Sequence, residues 1–266
     1  MGRAIRPRGR IGHRAAAAAL AAMAVAALPG CAAVATTVST YSATENRTIT
    51  EIVITGGAGD VLFRPGLEST VRVDRSARYR GAEPGRTYRI EGTVLHVDTD
   101  CGRSCEMSYT ITGAGGVAVR GENGSGDVTL TGVSTVDLTV GAGSVSVTDA
   151  AGDVAVETGA GDITVRGVAG AFRAEAGAGS VEARALRGRV QAHSGAGHLT
   201  LDLERAADVR AEADAGDLDL RVPAGRYRVA ANSGAGDEVV QIPNDPAGTH
   251  TLTLDTGSGD ISVTQG

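Results

Sequence analysis

The sequence predicts an all-β, single-domain β-solenoid: two facing parallel sheets at about 18 residues per coil, with irregular capping strands at the N-terminal end. Three observations predict it. First, one glycine turn keeps returning. Gly159-Ala160-Gly161-Asp162 has counterparts opening at Gly124, Gly141, Gly177, Gly195, Gly234 and Gly257, and a degenerate copy in Asp214-Ala215-Gly216-Asp217. The opening glycines at 124, 141, 159, 177 and 195 are 17, 18, 18 and 18 residues apart. Second, alternation follows each turn. Ile163 and Val165 flank Thr164, and half a repeat later Phe172, Ala174 and Ala176 alternate with Arg173 and Glu175. A period of 2 marks a strand with one buried face. Third, equivalent positions form apolar columns: Val128, Val145, Ile163, Val181, Leu199 and Leu218 after the turn, and Val136, Val154, Phe172, Val190, Val209 and Tyr227 in the second strand.

Taken in order, the chain opens on residues 1–30, a targeting segment. Arg3, Arg6, Arg8, Arg10 and Arg14 form a basic region, and Ala15 to Ala27 an apolar stretch too short to span a bilayer. Leu28-Pro29-Gly30-Cys31 follows and resembles the lipobox of bacterial lipoproteins. The resemblance implies cleavage before Cys31, lipidation of its thiol, and a protein held to the cell membrane by that lipid on the extracytoplasmic side. Removing those five arginines from a net charge of −6 leaves the mature chain at −11. Such an acidic surface argues against a nucleic-acid partner and against docking on anionic lipid through a basic patch. Residues 31–45, rich in Ala, Thr and Ser, read as a flexible tether.

The β domain is expected over 46–266, with entry and capping strands over 46–112, regular coils over 113–221 and irregular terminal coils over 222–266. The first part contains a glycine turn at Gly57 and most of the aromatics. In an exported chain, Cys101 and Cys105 are expected to close a small disulfide loop. Pro223, Pro243 and Pro246 break the period near the far end.

Glycine turns of the type Gly-Ala-Gly-Asp-Ile-Thr-Val, repeated at 18 residues after strands and a Cys-containing loop, resemble the bacterial putative-adhesin family. The resemblance covers roughly 46–266. It implies a β-solenoid envelope protein, non-enzymatic, serving as a surface contact or scaffold module toward a cell-surface protein or envelope component. It transfers no catalytic residue and no cofactor.

The residues themselves point away from most chemistry. All 25 basic residues are arginine, so a Walker-type loop, a Schiff base and a Ser-Lys pair are out. No serine sits in a Gly-x-Ser-x-Gly elbow. A carbohydrate-active β-helix needs two carboxylates across a cleft, and the acids here follow the repeat instead. His193 and His198 flank one turn, but no third ligand is indicated beside them, which favours surface histidines. The residue closing each turn forms a column of its own: Asp127, Ser144, Asp162, Ser180, His198, Asp217, Asp237 and Asp260. Like charges on neighbouring strands repel. A calcium-binding β-roll is therefore the rival reading, with Asp217, Asp237 and Asp260 as its ligands, although hard-cation sites need six or more oxygens.

Overall fold

The computed structural model describes residues 35–66 and 69–266, which belong to one compact unit; Cys31 and the targeting segment lie outside the described residues. Among the described residues no helix is long and apolar enough to cross a membrane. The entry region contains β1 (Thr37–Glu45), β2 (Glu51–Thr55), β3 (Val61–Pro65), β4 (Val71–Tyr79), β5 (Tyr88–Glu91), β6 (Val94–Asp98) and β7 (Cys105–Gly113). The regular coils follow as pairs of strands: β8 (Ala118–Ser125) with β9 (Val128–Thr131), β10 (Val136–Ala142) with β11 (Val145–Ala150), and β12 (Val154–Ala160) with β13 (Ile163–Val168). Then come β14 (Phe172–Ala178) with β15 (Val181–Leu186), β16 (Val190–Ala196) with β17 (Leu199–Leu203), and β18 (Val209–Ala215) with β19 (Leu218–Val222). The chain ends in β20 (Tyr227–Ser233), β21 (Glu238–Val240), β22 (His250–Thr256) and β23 (Ile261–Gln265).

Each coil sends one strand to each of two sheets. One sheet has 12 strands in the order β1-β4-β7-β3-β9-β11-β13-β15-β17-β19-β23-β21; the other has 11, in the order β20-β22-β18-β16-β14-β12-β10-β8-β2-β6-β5. The ladders between coils are parallel, and antiparallel pairing is confined to β1–β4, β4–β7 and β5–β6 at the N-terminal end. The apolar columns meet in register. Val128, Val145, Ile163, Val181, Leu199 and Leu218 stack in that order, and all are buried.

The core is thin because the facing positions are small. Ala174, Ala192 and Ala211 are successive inward positions on the second sheet, and Ala183 is buried on the first. Inward polar residues close this interior at the turns. Thr158, Ser194 and Thr256 donate to the carbonyls of Gly143, Gly179 and Gly216 at 3.3, 2.9 and 2.9 Å, tying one coil to another. Among the described residues no buried side-chain nitrogen or oxygen lacks a partner.

The turn needs glycine for two reasons. Gly161 has φ +141°, and a Cβ there would lie 2.1 Å from the Gly143 carbonyl oxygen. The opposite corner also calls for left-handed backbone: Gly132, Asp149, Gly167 and Ala185 have φ of 65°, 57°, 75° and 57°. Asp tolerates that region, whereas Ala does so at a cost.

Two expectations need correcting. Residues 37–45, read as part of a tether, form β1 and pair with β4 along their whole length. The strand lacks an apolar face, but its half-buried Tyr41 ring lies 4.7 Å from the Arg75 guanidinium, and nine residues of ladder supply the rest. The second correction concerns Tyr227. It does not follow Val209 in the column; Leu252 does, and Tyr227 pairs with His250. The link after β19 carries the chain past one coil spacing, and β22–β23 later fill that gap.

The N-terminal end is closed by aromatics. Tyr109 Oη lies 2.6 Å from Thr87 O and 2.9 Å from Asp98 O, and burial pushes its phenol up to about 12. Arg75 also lies 5.3 Å from the Tyr88 ring.

Two stability predictions follow from this packing. Ile163→Asp places an unpaired charge in the core and should cost about 3–5 kcal/mol, whereas Thr164→Asp, facing solvent beside Glu182, should cost about 1 kcal/mol or less. Equal losses in denaturant melts would mean that the inward and outward faces are misassigned. Ala185→Gly relieves a left-handed alanine and should stabilise by about 1 kcal/mol; a drop in melting temperature would contradict that account.

Candidate functional site

Three outward features of the coils are available to a partner: the column of turn residues and the two sheet faces. The turn column runs Asp60, Asp127, Ser144, Asp162, Ser180, His198, Asp217, Asp260 and Asp237 in space, so the last two exchange their sequence order. Its repulsion has a structural answer. The backbone N–H of one turn donates to the side chain of the turn before it: Ser144 to Asp127 Oδ1 at 2.9 Å, and Ser180 to Asp162 Oδ1 at 2.8 Å. Asp260 likewise donates to Asp217 Oδ1 at 2.9 Å, and Asp237 to Asp260 Oδ1 at 2.8 Å. His198 joins through Nδ1, which accepts the Asp217 N–H at 3.0 Å. An acceptor facing the next coil is what the position uses, and an Asp carboxylate, a Ser hydroxyl and an imidazole nitrogen all serve.

This ladder occupies the residues named as calcium ligands. Asp217, Asp260 and Asp237 lie on adjacent coils, with Asp217 and Asp260 each turning Oδ1 to a neighbour's N–H. Among the described residues they do not make a three-carboxylate group with ligand atoms within 4.8 Å. His193 and His198 also part company: His193 faces outward from β16 opposite Glu212, while His198 belongs to the ladder. Cys101 and Cys105 are joined in a disulfide with Cα atoms 5.5 Å apart, half-buried against the edge of the core where β7 begins.

The sheet faces are regular. On the first sheet Thr129, Ser146, Thr164, Glu182, Thr200, Asp219 and Ser262 are successive partners, so Glu182 and Asp219 interrupt the hydroxyl row. On the second, Glu157, Glu175, His193, Glu212 and Asp255 form one outward column. Opposite charges meet along a strand, as in Arg173–Glu175 at 3.3 Å and Arg184–Glu182 at 2.9 Å. Exposed pairs of this kind contribute little to stability. They fix the pattern of the face instead.

Residues 49–264 match the Toastrack DUF4097 family. The chain belongs to this family. The match bears out the resemblance drawn from the glycine turns. Among solved structures, the chain is similar to a putative adhesin from Bacteroides fragilis, at 14% identity over 85% of this chain and 97% of that one, with a TM-score of 0.49. It is also similar to a putative cell adhesion protein from Clostridium sporogenes, at 11% identity over 87% and 100% of the two chains, with a TM-score of 0.33. A search of the curated proteins finds no match.

In this Toastrack domain the ladder makes a discriminating prediction. Asp260→Asn keeps an acceptor for the Asp237 N–H and removes one of three adjacent charges, so it should match or exceed the wild type in low salt. Asp260→Ala loses the acceptor and should cost about 1 kcal/mol. Calcium should shift neither melt. A calcium-induced rise in the wild type that Asp260→Asn abolishes would give the column to the ion instead.

Proposed function

We propose that the protein is a non-enzymatic, membrane-anchored envelope lipoprotein whose Toastrack solenoid offers its flat faces to a neighbouring cell-surface protein or envelope component. The supporting observation is register. Outward side chains on both sheets repeat coil after coil at about 4.8 Å, set by the backbone ladder beneath them. A face of constant spacing suits an extended or repetitive partner, because each coil presents the next contact without any rearrangement.

The anchor is read from Leu28-Pro29-Gly30-Cys31. Only five residues separate Cys31 from β1 at Thr37, so the pairing of β1 shortens the connection between lipid and domain relative to a tether reaching residue 45. An acidic mature chain then relies on its lipid for attachment, on the extracytoplasmic side of the cell membrane.

The test has two arms. A fatty-acid analogue should label the wild type and leave Cys31→Ala unlabelled; equal labelling would remove the anchor. A photo-crosslinking residue replacing Thr164 on one face or Gln191 on the other should capture an envelope component in intact cells. Adducts from neither position would overturn the contact reading.

A further inference from the structure

Two breaks in the repeat fall side by side on the outer face of the 11-stranded sheet. The first is His193. Its cross-strand neighbours in the column are Glu175 and Glu212, both acids. The second is Asp214, in the degenerate turn. The coils on either side carry glycine at that position, Gly195 and Gly257. Glycine there has a steric cause: a Cβ at Gly195 would lie 2.6 Å from the Gly177 carbonyl oxygen, and one at Gly257 would lie 2.5 Å from that of Asp214. One coil places a carboxylate in a column that otherwise excludes side chains, and it is the coil beside the histidine.

The sheet brings the two together. Glu212 and Asp214 are two residues apart on β18 and therefore share its outward face, while His193 sits opposite Glu212 on β16. One ligand atom from each of His193, Glu212 and Asp214 lies within 4.8 Å of the other two. His193 and Glu212 are half-buried and Asp214 is exposed. The nearest competing cation is Arg210, whose Nη2 is 3.5 Å from Glu212 Oε2, a long contact that leaves the carboxylate available. A hollow of about 200 Å³, lined among others by Arg173, Glu175 and Gln191, adjoins the group and has room for water ligands.

We propose that His193, Glu212 and Asp214 form a surface site for a divalent first-row transition-metal ion, of which zinc is the natural probe. An imidazole with two carboxylates suits such ions, whereas calcium takes six to eight oxygens. Two carboxylates balance the charge of one dication. Three protein ligands on a fixed backbone leave at least one coordination position for water or for a group on a partner. The site is separate from the acidic turn column, and it takes His193 without His198, which belongs to that column.

Zinc titration of the full chain purified in detergent, by calorimetry and thermal melting, tests the assignment. One zinc per chain is expected, with an upward shift in melting that a chelator reverses and equimolar calcium does not reproduce. Asp214→Gly restores the glycine of the column and should fold at least as well as the wild type. It and His193→Gln should each weaken zinc binding by about tenfold or more, and His198→Ala should leave it unchanged. The proposal fails if zinc does not bind, if calcium binds equally well, or if Asp214→Gly and His193→Gln bind zinc like the wild type.

Discussion

Every coil must lay its turn against the backbone of the coil beside it, and this single contact governs the rest of the molecule. At Gly159 and Gly161 a Cβ would lie 2.6 and 2.1 Å from the carbonyl oxygens of Gly141 and Gly143. Such closeness is possible only where successive coils keep one path. Equal path length keeps the strands in register, and register stacks like on like: Ile163 on Val145, Thr164 on Ser146, Ala160 on Ala142. The apolar columns follow from that stacking, and so do the turn ladder and the regular faces. An inserted residue in the strand would turn every later side chain to the other face, so length changes are confined to corners and to the far end.

A stack of parallel strands has two open edges, and the chain treats both ends similarly. Near each end one coil is inserted out of sequence order. β2–β3 lies between β6–β7 and β8–β9, and β22–β23 lies between β18–β19 and β20–β21. The outermost layers are then closed by different means. At the N-terminal end the antiparallel β1, β4 and β5 replace the solenoid ladder. At the other end side chains stand in for a strand: Asn244 Oδ1 accepts the Val229 N–H and its Nδ2 donates to Val229 O, while Glu238 Oε1 accepts the Ser233 N–H. An edge strand whose backbone is taken up by side chains from elsewhere in its own chain is a poor template for another chain.

How much of this was legible in the sequence depends on what the period encodes. It encodes which residues of a coil face inward, so the columns from Val128 to Leu218 could be written down directly. It does not encode which coil is the neighbour. Tyr227 and Leu252 both suit an inward place beside Val209, and only the path of the chain through 223–226 decides for Leu252. β1 was hidden for another reason. Ser39, Tyr41, Ala43 and Glu45, its half-buried positions, are not an apolar face, and the strand depends on pairing with β4 and on Arg75 beside Tyr41. The turn column was visible as composition but not as bonding, because a backbone N–H leaves no trace in the sequence. His193, Glu212 and Asp214 sat in plain view 19 and 21 residues apart, and one coil length is what joins them.

A repeated architecture also separates folding from function in a way that an irregular domain does not. Each position is built many times over, so the requirement of the fold can be read from the column as a whole. Asp, Ser and His interchange in the turn column because each provides an acceptor for the next N–H. Their variety therefore needs no function to explain it. Asp214 is different: folding asks for no side chain there, since Gly195 and Gly257 complete the same turn without one. Its carboxylate is surplus to the solenoid, and it lies beside the single histidine of an otherwise acidic stretch, Glu175 to Asp255. The regular faces can offer a partner extent and spacing, and every coil offers nearly the same thing. A place on that surface that is unlike its neighbours can come only from residues that break the repeat.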